Sequence, residues 1–98
     1  AQLQDVRLDS SDIRRAIFIE CNFSDADLSN SRLNGANLER ANLTGVTLNY
    51  VSVDDENWFE LLESYYETGV VAIKQAYVIR EDTTNHEYIL IPKTSGDY

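Results

Sequence analysis

The chain has 98 residues, 43% of them hydrophobic, with a formal charge of −9 and one cysteine. That length holds one modest core, or one elongated stack with a small attachment, and argues against two independent domains. No apolar run approaches the roughly 18 residues of a membrane span, no signal-like leader opens the sequence, a single thiol forms no internal disulfide, and the acidity argues against binding nucleic acid.

The first half is organised by a period of five. In "GANLERANLTGV", residues 35–46, Leu38 and Leu43 stand five apart, each preceded by Asn and, two places back, by Ala. A helix, at roughly 100° per residue, would separate them by about 140°, and a straight strand would put them on opposite faces. The same register runs through Leu3, Leu8, Ile13, Phe18, Phe23, Leu28, Leu33, Leu38, Leu43, Leu48 and Val53. Two places before each centre stand Ala1, Val6, Ser11, Ala16, Cys21, Ala26, Ser31, Ala36, Ala41, Val46 and Val51, all small or compact. Residues two apart in an extended segment face the same way, so both columns point inward. The chain must then turn a corner every five residues, with Leu38 and Leu43 on adjacent walls of one tube.

Units such as Ala36-Asn37-Leu38-Glu39-Arg40 and Ala41-Asn42-Leu43-Thr44-Gly45 resemble the A-(D/N)-L-x-x unit of the pentapeptide-repeat proteins, over residues 1 to 53. The resemblance implies a mainly β fold: a right-handed quadrilateral β-helix with four pentapeptides per coil. At that repeat the segment makes about two and a half coils, near 13 Å tall at about 4.8 Å per layer. Twenty residues per turn would stack Ala16 on Ala36 and Ser11 on Ser31. Val6-Arg7-Leu8 and Ala16-Ile17-Phe18 depart from the pattern in lacking Asp or Asn before the centre, although their inward positions are intact.

So short a stack needs a cap, and the periodicity changes after Val53. Trp58, Leu61, Leu62, Tyr65 and Tyr66 follow helical spacing, with Glu56, Glu60, Glu63 and Glu67 opposite. This predicts a capping helix, started by Asp54 and Asp55 and stopped near Gly69, over the C-terminal end of the tube. "VVAIKQAY" reads as a second helix or a strand; "YVIRED" and "EYILIP", joined by "TTNH", read as a β-hairpin. The expected division is a repeat β-helix over 1–53 and a helix-plus-hairpin attachment over 54–98.

Candidates for chemistry are few. Cys21 falls in the inward column and reads as a core thiol, and His86 sits in a polar turn with no orienting pair evident. "DADLSN", residues 25–30, begins like a calcium loop but lacks Gly at the sixth place and Glu at the twelfth. Asn22 and Asn42 match glycosylation triplets that the repeat itself generates. The Glu stripe reads as a wet helix face. No catalytic, cofactor-binding or metal-binding residues are assigned, and no enzyme is expected.

The candidate contact surface is Leu3, Leu8, Ile13 and Phe18, open at the mouth of the first coil, with Ile17 and Ile19, which must point outward on one wall. The C-terminal hairpin folding back, or a partner protein, would cover the two isoleucines. The expected function is a non-catalytic protein–protein binding or scaffolding module in the cytoplasm, the C-terminal part of a larger bacterial protein. It is expected to form a homodimer through the N-terminal end, or to meet an upstream domain there, without cofactor, nucleic acid or membrane. The alternative is a DNA-mimic regulator of a type II topoisomerase, an activity known among pentapeptide-repeat proteins. Residues 1–53 hold seven acids against five arginines, whereas residues 54–98 hold ten acids against Lys74, Arg80 and Lys93, so the charge is misplaced for mimicry by the tube.

Overall fold

A computed structural model describes residues 2–64 and 69–95. Ala1 of the small-residue column, and Tyr65, Tyr66 and Glu67 of the expected helix, lie outside the described residues.

The period of five has a backbone cause. Residues 5, 10, 15, 20, 25, 30, 35, 40, 45 and 50 all adopt a left-handed conformation, with φ between 59° and 73°. Each occupies the third place of a turn closed by an amide three residues after a centre, as in Val6 N–H to Leu3 O (3.2 Å) and Ala41 N–H to Leu38 O (2.9 Å). A positive φ at that place is what a type II turn requires. Only Gly35 and Gly45 lack the steric penalty, roughly 1–2 kcal/mol for an L-residue. The corner amides offset it by bonding to the next layer: Asp5 N–H to Ser24 O, Arg15 N–H to Asn34 O, Glu20 N–H to Glu39 O, each within 3.0 Å.

Layers recur every twenty residues. Parallel bridges join Gln2 to Asn22, Arg7 to Asp27, Asp12 to Arg32 and Ile17 to Asn37, and the same column continues through Asn42, Thr47 and Ser52. The Asp or Asn before a centre has a local task. Its side-chain oxygen accepts the amide two residues on, as in Asn22 to Ser24 N, Asp27 to Ser29 N, Asn37 to Glu39 N and Asn42 to Thr44 N, all at 3.0 Å. The two inward columns form the core: Cys21, Phe23, Ala26, Leu28, Leu33, Leu38, Ala41, Leu43, Leu48, Val51 and Val53 are buried.

The segment after Val53 supplies bonds that a further layer would have made. Helix α1 (Trp58–Ser64) buries Trp58 and Leu62, with Phe59 and Leu61 partly buried, in one cluster with the repeat core. Asp54 does not start this helix; its Oδ1 accepts the Gly35 amide at 2.6 Å, the bond a next-layer carbonyl provides at other corners. Asp55 does hold the helix start, accepting Asn57 N–H at 2.8 Å. Gly69 precedes helix α2 (Val70–Ala76), so "VVAIKQA" is helical, with Val70 and Ile73 turned to the core. Glu63 of α1 pairs with Lys74 of α2.

The hairpin is present: β2 (Tyr77–Asp82) pairs antiparallel with β3 (Glu87–Pro92) in the register Tyr77 to Pro92 through Asp82 to Glu87. β3 also pairs antiparallel with β1 (Ser52–Val53), Ser52 opposite Ile89 and Val53 opposite Tyr88. Since Ser52 bridges Arg32 on its other side, one ladder runs Asp12, Arg32, Ser52, Ile89, Arg80 from the first layer to the hairpin edge. Leu90 O accepts Tyr50 N–H at 2.8 Å and Leu90 N–H donates to Val51 O at 2.9 Å, which ties the hairpin to the last layer.

Candidate contact surfaces

The two ends of the stack differ. At the C-terminal end Leu38, Leu43, Leu48 and Val53 are each 2% exposed or less. At the other end Leu3, Leu8, Ile13 and Phe18 are only half-buried, although the same column carries them inward. Phe18 packs edge-on to Phe23 of the second layer, with ring centroids 4.9 Å apart. On the outer face beside Phe18, Ile17 is 75% and Ile19 41% exposed. The hairpin does not cover them, because β3 is taken up by Ser52 and Val53 and its first residue, Glu87, pairs with Arg32 at 3.0 Å. All six residues of the expected contact surface therefore lie on the first layer.

The outer walls are charge-balanced at close range. Arg7 faces Asp9 (3.8 Å), Arg40 meets Glu20 of the layer below (3.0 Å) and Glu39 (3.7 Å), and Arg14 grips Asp12 with two bonds of 2.7 and 2.8 Å. The Arg14 side chain, helped by its amide, pulls the Asp12 carboxyl down to about 2. Asp27 is lowered by the hydroxyl and amide of Ser29.

An open cleft of about 680 Å³ lies where these walls meet the hairpin, lined by Asp12, Arg14, Arg15, Arg32, Asn34, Gly35, Asp54 and Glu87. Its charges are mostly committed: Arg14 to Asp12, Arg32 to Glu87, Asp54 to the Gly35 amide. Sequence reasoning missed this cleft. The twenty-residue interval places Asp12 below Arg32, but Glu87 arrives from the hairpin, and no local pattern announces that docking.

The residues weighed for chemistry are otherwise occupied. Cys21 is buried, and Asn22 and Asn42 spend their side-chain oxygens on Ser24 and Thr44. His86 is exposed in the turn at 83–86, where Asp82 holds Thr84 N and Asn85 Nδ2. Among the described residues no cluster of three His, Cys, Asp or Glu is placed to hold a metal ion, and no helix is long and apolar enough to cross a membrane.

The five-residue columns, the left-handed corners and the Asp/Asn turn bonds agree with a family comparison. A family model described as "Pentapeptide repeats (8 copies)" matches residues 1–30 and 21–55, more than half of the chain. The chain belongs to the pentapeptide-repeat family. Nothing among the curated proteins or the solved structures matches it. Membership implies a β-helical repeat module, and the pentapeptide repeats here carry Leu3, Leu8, Ile13, Ile17, Phe18 and Ile19 on the first layer, at the end opposite the helices.

Proposed function

We propose that this pentapeptide-repeat chain is a non-catalytic protein-binding or scaffolding module. In this reading the repeats form a right-handed quadrilateral β-helix, α1 acts as its capping helix with the hairpin beside it, and the first layer meets a partner. Pairing at an interval of twenty supports four sides per coil, and the burial of Trp58 and Leu62 with the last-layer centres supports the cap. The observation that carries the functional reading is the pair of neighbouring outer-wall isoleucines, Ile17 and Ile19, exposed on one face beyond the reach of the hairpin. Two large apolar side chains exposed together on one wall mark a contact surface rather than a scattered surface residue.

The competing reading, a DNA-mimic regulator of a type II topoisomerase, needs a wall of unopposed carboxylates at about one charge per 1.7 Å. Arg7, Arg14, Arg32 and Arg40 each sit on a carboxylate, which argues against it. A pull-down from native lysate tests the proposal, with Ile17→Asp/Ile19→Asp as control. Retention of a defined protein by the wild type and its loss from the control is expected; equal capture by both would overturn the assignment of this surface. In parallel, a gyrase supercoiling assay is expected to show no inhibition. Inhibition at micromolar concentration, lost in Asp25→Asn/Asp27→Asn, would favour the topoisomerase reading instead.

A further inference from the structure

We propose that the outer edge of β2 takes up a strand from a basic partner, a peptide segment in which Lys or Arg alternates with apolar residues. The proposal goes beyond the module reading and uses neither Ile17 nor Ile19, so the pull-down above and the test below succeed or fail separately.

The edge is set by the pairing of β3. The sheet runs β1, β3, β2, which gives β2 a neighbour on one side only. Leu90 turns both backbone groups toward the last layer, its carbonyl accepting Tyr50 N–H and its amide donating to Val51 O. Successive residues of a strand turn these groups to opposite sides, so Ile89 and Ile91 bond to β2, where Arg80 and Val78 stand opposite them. Ile79 and Glu81 then turn amide and carbonyl away from the sheet. Tyr77 follows the same alternation: it stands opposite Pro92, and its N–H bonds back to Ile73 O of α2. Among the described residues no strand pairs with the outward amides and carbonyls of Ile79 and Glu81. An extended peptide laid along them would use all four groups, the main-chain mode of strand addition.

The side chains select the partner. Glu81 lies opposite Tyr88, on the sheet face that also carries Ile79 and Leu90. The Tyr88 phenol is raised above its ordinary value first by the Glu81 carboxylate, then by lost hydration, then by Glu56 and Asp55. These three acids are exposed, and the attachment as a whole, residues 54–98, holds ten acids against Lys74, Arg80 and Lys93. On the other face Val78, Ile89 and Ile91 are only half-buried, and an open hollow of about 320 Å³ bounded by Arg80 and Thr83 reaches both isoleucines. A strand with Lys or Arg on the Glu81 face and Val or Ile on the other complements both faces, since opposite charges and apolar pairs on neighbouring strands stabilise a sheet. A second copy of the chain is the wrong occupant, because its β2 would bring the same excess of acids to the contact. Charge on an edge strand discourages indiscriminate pairing, and acidic charge does so while admitting a basic strand.

The test uses a fluorescent hexapeptide of alternating lysine and valine, blocked at both ends and added to the 98-residue chain. Binding is read by fluorescence anisotropy and by amide hydrogen exchange. In the free chain the Ile79 and Glu81 amides are expected to exchange fast and the Arg80 amide slowly; saturating peptide is expected to slow the first two. A strand turns alternate amides to its neighbour, so methylating the lysine nitrogens in one peptide and the valine nitrogens in another is expected to abolish binding in one of the two only. Glu81→Gln is expected to weaken binding several-fold. Glu81→Pro, which also removes an outward amide at a place where an edge strand tolerates proline, is expected to weaken it roughly tenfold or more, with folding verified by circular dichroism. Equal binding of all three peptides would reduce the contact to charge attraction and overturn strand addition. Slow exchange at Ile79 and Glu81 in the free chain would show the edge already covered, and no binding at millimolar peptide would remove the basic occupant; either result overturns the proposal.

Discussion

The hydroxyl of Tyr77 accepts the buried amide of Leu48 at 2.9 Å, across 29 residues of sequence. In the layers below, the amide of a centre donates to a backbone carbonyl of the next layer, as Leu28 N–H does to Thr47 O. Leu48 has no such layer above it, and a tyrosine oxygen stands in. Tyr77→Phe keeps the ring but orphans this amide, so a loss of about 1–3 kcal/mol is expected in urea unfolding. An unchanged midpoint would mean that water reaches Leu48.

Gly69 brings the backbone of the attachment close against the repeats. Its φ is 98°, and a methyl group there would sit 2.8 Å from the Leu43 carbonyl carbon and 2.9 Å from both its oxygen and the Thr44 nitrogen. Backbone cannot swing aside as a side chain can. Gly69→Ala is therefore expected to destabilise by more than the roughly 1 kcal/mol of a left-handed alanine, and thermal melting against Gly35→Ala checks it. The Gly35 variant meets mainly the flexible Arg15 side chain, at 3.2 Å, and should lose less.

Trp58 and Leu62 are 3% and 1% exposed in the shared cluster. Truncating either to alanine is expected to cost about 3–5 kcal/mol for the tryptophan and about 2–5 for the leucine. Near-neutral effects of both, measured by chemical denaturation, would remove α1 from its proposed capping role.

The Cys21 thiol, 6% exposed, should react slowly with an aromatic disulfide reagent in native buffer and at once in denaturant. Stoichiometric native labelling within seconds would place the small-residue column on the outside.

Asp12 offers a titration. Its carboxyl, ordinarily near 3.8, is held at about 2 by the Arg14 guanidinium and amide. Because the folded value is the lower one, the pair's contribution is complete above the ordinary value and is lost as pH falls through about 2. A carboxyl carbon resonance followed from pH 5 downward should show a midpoint near 2, moving up toward 3.8 in Arg14→Ala. A midpoint indifferent to that change would deny the pair in solution.

The inward columns were legible because burial alternates with the pleat: Phe23, Leu28, Leu33, Leu43 and Leu48 are buried where the register of five puts them. The corners were not. Arg15, Glu20, Arg40 and Tyr50 take left-handed backbone without a glycine to mark it, since a vertical hydrogen bond, not residue type, holds a corner such as Glu20. For Val70–Ala76 the β-branched Val70, Val71 and Ile73 left helix and strand equally open; Val70 and Ile73, three apart, reach the core only as a helix. Asp54 read as a helix start because acids favour that place, whereas a lone corner amide at Gly35 claimed it. The docking of Glu87 on Arg32 depends on where a distant hairpin lands, and no short-range pattern encodes that.

The twenty-residue pairing interval makes the length of this chain a rotational setting. One extra pentapeptide between Asn30 and Ser31 would keep every centre inward yet carry all that follows one side further round, re-aiming the helices and hairpin relative to Ile17 and Ile19. Four extra pentapeptides would add a layer and restore the original aim. Changes in repeat number could therefore steer one end of the molecule against the other while leaving the chemistry of both untouched.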